Sequence, residues 1–92
     1  MDPIVVQLSK PVVHGKQTYT EIVFAREAEV GDLIAADTQD GEFGKMAAAF
    51  ASIAEIPFPA FKKIKAGDMQ KIMNEAGHLV GNAPAPAMDG NE

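Results

Sequence analysis

The order of hydrophobic and polar positions predicts strands near the start of the chain and helices after them. Ile4 to Leu8 is rich in β-branched residues, which is typical of a strand. Thr18 to Phe24 reads as a second strand, in which Thr20, Ile22 and Phe24 lie on one face and Tyr19, Glu21 and Val23 on the other. We expect that face to point to the core because the opposite face carries a glutamate.

A polar turn connects these two strands. His14 to Gln17 includes Gly15, and glycine adopts positive φ at little cost. Pro11 has no N–H to donate to a neighbouring strand, so we expect it at a strand end or a sheet edge. A β-hairpin is the simplest arrangement. Since an isolated hairpin is only marginally stable in water, helices must cover it.

A short first helix is predicted by the spacing of Val30, Leu33 and Ile34, and it ends near Thr38. Asp32 lies in its first turn, where the helix dipole favours a carboxylate. The second helix has the clearest apolar pattern, at Phe43, Met46, Phe50 and Ile53.

The second helix is expected to end before Pro57 and Pro59, because proline does not fit a helix interior. Residues Pro59 to Ile64 predict a short helical turn with two phenylalanine anchors, at Phe58 and Phe61. A last helix runs from about Gly67 to Leu79, and Asp68 lies in its first turn as Asp32 lies in that of the first helix. Its apolar face comprises Met69, Ile72, Met73, Ala76 and Val80.

The predicted fold class is therefore α+β, with an N-terminal β-hairpin packed against about three short α-helices. Residues 1–80 form a single small domain, and residues 81–92 form a Pro/Ala-rich tail without apolar periodicity, which we expect to be disordered. The core is modest because the chain has no Trp, five Phe and one Tyr. This motivates the hypothesis that a partner or self-association adds stability.

Composition narrows the class of function. The chain has no Cys, which excludes a disulfide or thiolate site and fits a reducing cytoplasm, and its start lacks the features of a signal peptide. The nearly apolar stretch 46–54 is about half the ~20 residues that cross a bilayer. We therefore expect a soluble intracellular protein.

The net charge of −5 argues against nucleic-acid binding, since an acidic chain repels phosphates. Between residues 21 and 42 the acids outnumber the single base, Arg26, by seven to one. The lysines gather later, at Lys62, Lys63, Lys65 and Lys71, and a solvent-exposed face explains them.

No pattern of catalytic or metal-binding residues is present. A calcium loop with Gly41 at its sixth position would need oxygen ligands where Ala36 and Ala47 stand. A polar turn before an acidic helix start explains the neighbouring acids Asp37, Asp40 and Glu42. His14 and His78 have no accompanying nucleophile motif. We predict no enzyme activity, no cofactor and no metal.

The methionines on the helix faces have two interpretations. Met46, Met69 and Met73 fill gaps in the core, or some of them line an adaptable groove for a partner helix. A core role is favoured because these positions are needed to cover the hairpin.

Five segments of the chain form a distinctive combination, namely Val6 to Val12, Tyr19 to Ile22, Arg26-Glu27-Ala28, Val30-Gly31-Asp32-Leu33 and Ile64 to Asp68 with the helix that follows. In these segments the chain resembles the small tail assembly chaperones of contractile-tailed bacteriophages of the Mu-like and related kinds, which also occur in prophages. The resemblance covers about residues 4–80. Glu29 and Lys65 stand where family members often have a small polar helix cap, which predicts frayed helix starts.

The resemblance implies a non-catalytic chaperone in the host bacterial cytoplasm, absent from the mature virion. Its partners would be the tape measure protein, which it keeps soluble, and the tail tube protein. In many such phages a ribosomal frameshift gives an extended product, and the tail is compatible with a linker to it. The alternative is a minor structural tail component or a small adaptor that remains in the particle.

We predict the partner contacts on the second helix and at the phenylalanine corner after it. A role in the buried core is the competing explanation for the same residues. The predicted contacts are Met46, Phe50, Ile53, Phe58 and Phe61.

Overall fold

A computed structural model describes residues 2–80 and has an α+β architecture, which confirms the predicted fold class. The predicted disordered tail, 81–92, lies outside the described residues. The elements are β1 (Ile4–His14), β2 (Gln17–Phe24), α1 (Val30–Ala36), α2 (Glu42–Ala54), α3 (Phe58–Phe61), α4 (Ala66–Ala76) and a 3-10 helix (Gly77–Val80).

The two strands form an antiparallel hairpin whose turn contains Gly15 at a φ of 62°, the left-handed region that glycine tolerates best. β1 extends well past the predicted end at Leu8. Its pairing with β2 is interrupted between Gln7 and Val12, where residues 8–11 of β1 lie opposite the single residue Thr20. Pro11 falls in this irregular segment, where no ladder N–H is required of it.

The interruption decides which residues of β2 reach the core. Ile22 and Phe24 are buried, as predicted, and pair with Val6 and Ile4 of β1. Thr20, which was expected on the same face, is exposed because the regular ladder is broken at its position. Buried and exposed residues of β2 therefore alternate regularly only between the irregular segment and Phe24.

The core lies between one face of the hairpin and helices α2, α3 and α4. Phe24 and Phe50 meet edge to face with ring centroids 5.6 Å apart, a favourable aromatic geometry. Burial of one such ring contributes about 2–3 kcal/mol. The other fully buried large side chains are Val6, Ile22 and Ile72.

The second helix ends before Pro57 and Pro59, as predicted, whereas the ends of the later helices differ from the predicted ones. α2 ends at Ala54, where Glu55 adopts a left-handed conformation with φ 58°, and the N–H of Ile56 then bonds to the carbonyl of Ala51 at 2.9 Å. α3 begins one residue earlier and ends three residues sooner than predicted. α4 tightens into the 3-10 helix after Ala76.

Candidate partner-binding surface

The five residues predicted to contact a partner divide into two groups. Phe50, Ile53 and Phe61 are buried in the core, which is the role that the competing explanation assigned to them. Met46 and Phe58 are half-buried at the edge of that core. Contact with a partner remains a prediction for all five, and only the second group reaches the surface of the folded chain.

Large apolar side chains are exposed on α1, in the first turn of α2 and on the hairpin, where Val5, Val13 and Val23 are 44%, 58% and 39% exposed. Val30, Leu33 and Ile34 are 72%, 51% and 65% exposed, and Phe43 in the first turn of α2 is 59% exposed. Positions three and four residues apart lie on one side of a helix, so the three α1 residues form a single apolar face. This face points to solvent, although a surface helix normally turns its apolar face to the core.

The residues of α1 that point inward are Asp32 and Ala36, both nearly fully buried. The Asp32 carboxylate accepts two hydrogen bonds from the guanidinium of Arg26, at 2.6 and 3.1 Å. It also accepts the hydroxyl of Ser52 on α2 at 2.5 Å and the backbone N–H of Glu29 at 2.7 Å. These bonds fix the rotation of α1 and thereby leave its apolar face outside.

The ionisation of Asp32 is strongly favoured in the fold. The hydrogen bonds from Arg26 hold the pKa of this carboxyl well below its usual range, and the bonds from Glu29 and Ser52 act in the same direction against the cost of burial. A charged carboxylate with four donors is therefore the stable state of this buried group.

A second buried carboxylate, Asp68 on α4, has a related role. It accepts the N–H and the hydroxyl of Ser9, both at 2.9 Å, and lies 3.5 Å from the ammonium of Lys71. Burial opposes its ionisation, but these bonds and the nearby lysine lower the pKa of Asp68. The Ser9 N–H belongs to the irregular segment of β1, so Asp68 satisfies a donor that the strand pairing leaves free.

Sequence reasoning assigned both aspartates only to the helix dipole and missed their buried partners. The signal that was available is the repeated Gly-Asp pair at the same helix position, Gly31-Asp32 and Gly67-Asp68. Ser52 lies 20 residues from Asp32 and Ser9 lies 59 residues from Asp68 in the chain, so no local pattern identifies these two partners. At the two helix starts, Asp32 bonds back to the N–H of Glu29, whereas the Lys65 side chain forms no cap.

An open groove of about 470 Å³ lies between α1 and α2, which we call the α1–α2 groove. Its walls combine apolar side chains with two acids and one lysine. The ammonium of Lys45 lies 3.7 Å from a carboxylate oxygen of Asp37 across the groove, and both side chains are well exposed. The lining residues are Leu33, Ala36, Asp37, Glu42, Phe43, Lys45, Met46, Ala49 and Val80.

A smaller groove of about 340 Å³ lies between α2, α3 and the start of α4. Phe43 borders both grooves, so its ring forms the ridge between them. The charged residue that lines this second groove is Lys62, whose ammonium lies 5.3 Å from the centre of the Phe58 ring. The two grooves therefore differ in the sign of their charge.

Within residues 2–80, no cluster of three or more His, Cys, Asp or Glu side chains is arranged to hold a metal ion. The acids Asp37, Asp40 and Glu42 are exposed along the turn between α1 and α2. None of the helices in this part of the chain has the length and apolar character needed to cross a membrane.

The chain matches the model of a known protein family. The family described as "Phage tail assembly chaperone proteins, E, or 41 or 14" matches residues 5–81, which include β1 from its second residue and all of the later strand and helices. No curated protein and no solved structure matches the chain significantly.

Proposed function

This chain belongs to the phage tail assembly chaperone family, and we propose that it binds the tape measure protein of its phage, keeps it soluble and promotes assembly of the tail tube. Membership implies binding to phage tail proteins and suggests a non-enzymatic role. We further propose that the chaperone is not catalytic and acts in the host bacterial cytoplasm. It leaves before the virion is complete.

Apart from family membership, the observation that supports this proposal is the outward apolar face of α1. Three large apolar side chains stand in water there while the helix is anchored from its other side by Asp32. Monomeric proteins rarely expose clustered apolar side chains without a binding role. A tape measure protein offers long amphipathic helices whose apolar faces would aggregate if uncovered, and such a face is a matching partner.

The charge of the chain supports a solubilising role. Each bound copy adds a formal charge of −5, so a tape measure protein covered by many copies would carry a large negative charge. Like charges on neighbouring complexes repel and keep the complexes dispersed. Multiple copies on one long partner also raise the overall affinity without requiring strong binding by each copy.

Co-expression of this chain with the tape measure protein, followed by size-exclusion chromatography with mass determination, tests the proposal. We expect a soluble complex that holds several copies of the chain, whereas the tape measure protein expressed alone precipitates. If the tape measure protein still precipitates while this chain elutes by itself, the proposed function is wrong for this form of the protein.

Mass spectrometry of purified virions separates the proposal from the alternative of a minor tail component or adaptor. A departing chaperone is expected to be absent from the particle while the tail tube and tape measure proteins are detected. Detection of this chain at a fixed ratio to the tape measure protein would favour the alternative.

A further inference from the structure

We propose that the α1–α2 groove, together with the outward face of α1, is the docking site and that it takes an amphipathic helix with basic residues beside its apolar face. This inference rests on the proposed function and deepens it, because it assigns the surface and the chemistry of the segment that is bound. It places the contact away from the buried residues Phe50, Ile53 and Phe61.

The shape of the surface fits one helix. Val30, Leu33 and Ile34 share one side of α1 with Asp37. Leu33 and Asp37 also line the groove, whose lining on α2 includes Phe43. α1 has seven residues, which corresponds to roughly 10 Å or two helical turns. A partner helix would therefore present about three or four apolar residues, at spacings of three and four positions.

The charges around this surface select a basic partner. Glu29 precedes α1, Asp37 follows it, and Glu42 begins α2. Arg26 lies within ion-pair distance of both Asp32 and Glu29. The ammonium of Lys45 lies 3.7 Å from the carboxylate of Asp37. Two bases therefore face four acids, and lysine or arginine residues that flank the apolar face of a partner helix would meet a net negative charge.

The second groove is a poorer site for the same helix. Its lining carries Lys62 and no acid, so basic flanking residues would be repelled there. A second copy of this chain is also a poor occupant of the α1–α2 groove. In a two-fold symmetric pair the same acidic border would face itself, and like charges in contact are unfavourable.

The first experiment measures binding of two synthetic helical peptides by fluorescence anisotropy. Both carry leucines at positions i, i+3, i+4 and i+7, and they differ only in having lysine or glutamate beside the leucines. We expect the lysine peptide to bind at least tenfold more tightly, with an affinity that falls as salt rises. Equal affinities for the two peptides would overturn the inference.

The second experiment compares two matched double variants in the same assay and in the co-expression assay. Leu33→Gln with Ile34→Gln removes two exposed apolar residues from α1, and Val13→Thr with Val23→Thr removes two from the hairpin surface. We expect the α1 variant to lose at least tenfold in peptide affinity while the hairpin variant stays within about twofold. Thermal unfolding by circular dichroism checks that both variants fold.

The outcomes distinguish the inference from the proposed function. If the α1 variant still solubilises the tape measure protein and binds the peptide as the parent does, the docking site is wrong and the proposed function stands. If the parent binds the lysine peptide through α1 but fails to solubilise the tape measure protein, the proposed function is wrong and the site stands. A dimeric parent that the α1 variant converts to a monomer would overturn the inference in favour of a second copy.

Discussion

Helices α1 and α4 begin with similar sequences, but the apolar face of α1 is exposed and that of α4 is buried. α1 starts Val30-Gly31-Asp32-Leu33, and α4 starts Ala66-Gly67-Asp68-Met69. The aspartate occupies the same position in each helix and is buried in both. The next residue is 51% exposed in α1, as Leu33, but only 6% exposed in α4, as Met69.

The difference comes from what covers each helix. α4 packs against β1, and Met69, Ile72 and Ala76 join the main core. α1 packs mainly against α2, through a small buried cluster of Ala36, Ala48 and Ala49. Alanine contacts bring two helices close but bury little apolar area, so the hydrogen bonds of Asp32 are needed to hold α1 in place.

A buried aspartate at a helix start therefore does not determine which face of the helix packs against the rest of the protein. In α4 the carboxylate and the apolar residues both point to the protein. In α1 only the carboxylate and the small side chain of Ala36 do, which leaves the large apolar side chains available to a partner. The distinction matters for function because a helix held by polar bonds can keep an apolar surface exposed without joining the core.

The two helices are expected to differ most in how much free energy of unfolding is lost when an apolar side chain is removed. Ile72→Ala empties a fully buried site and is expected to lower the free energy of unfolding by about 2–5 kcal/mol. Leu33→Ala, at a half-exposed site, is expected to cost less than about 0.5 kcal/mol. Urea unfolding curves of the two variants give both values. Comparable losses would show that Leu33 is part of the core in solution.

Replacing each of the two buried aspartates is expected to give a smaller difference in stability. Asp32→Asn removes a carboxylate with two bonds to Arg26 and one each to Ser52 and Glu29, and we expect it to cost about 2–3 kcal/mol. Asp68→Asn should cost about 1 kcal/mol, because its charged partner Lys71 lies 3.5 Å away and is 44% exposed. Thermal unfolding measured at neutral pH ranks the two variants. The reverse order would contradict the anchoring role of Asp32.

The stability of the fold is expected to fall in acid, because protonation removes the charge of the same two aspartates. The pKa values of Asp32 and Asp68 are both lowered in the fold, so the unfolded chain binds more protons than the native chain at mildly acidic pH. Their stabilisation is complete above the ordinary aspartate pKa of about 4 and is lost as the pH falls below it. Unfolding followed from pH 7 to pH 2 should therefore show decreasing stability.

The variants serve as controls for this pH dependence. Asp32→Asn should flatten the acid limb more than Asp68→Asn, because the pKa of Asp32 is lowered further in the fold. An acid limb that both variants leave unchanged would mean that other carboxylates control it.

Much of the fold could be predicted from the sequence where local pattern and tertiary contact agree. The strand positions of Ile22 and Phe24, the second helix and the apolar face of the last helix depend on periodicity, and the structure confirms them. The exposure of Thr20 was not predictable from alternation. It follows from an irregular β1 segment whose free N–H, from Ser9, is satisfied 59 residues away.

The candidate site was harder to predict than the fold. The pattern of α2 suggested Phe50 and Ile53 as contacts, but an apolar helix face looks the same in a sequence whether the protein or a partner covers it. The spacing of Val30, Leu33 and Ile34 identified the helix without showing which way its apolar face points. That direction depends on the bonds from Arg26 and Ser52 to Asp32, which only the folded chain brings together.

Hydrogen–deuterium exchange of the chain, free and bound to the co-expressed tape measure protein, identifies the surface that the partner covers. We expect slower exchange on binding in residues 30–46, which include α1 and the start of α2, and little change in the hairpin turn at residues 14–17. Protection confined to the hairpin, with unchanged exchange in α1, would contradict the claim that the outward face of α1 is the surface the partner covers.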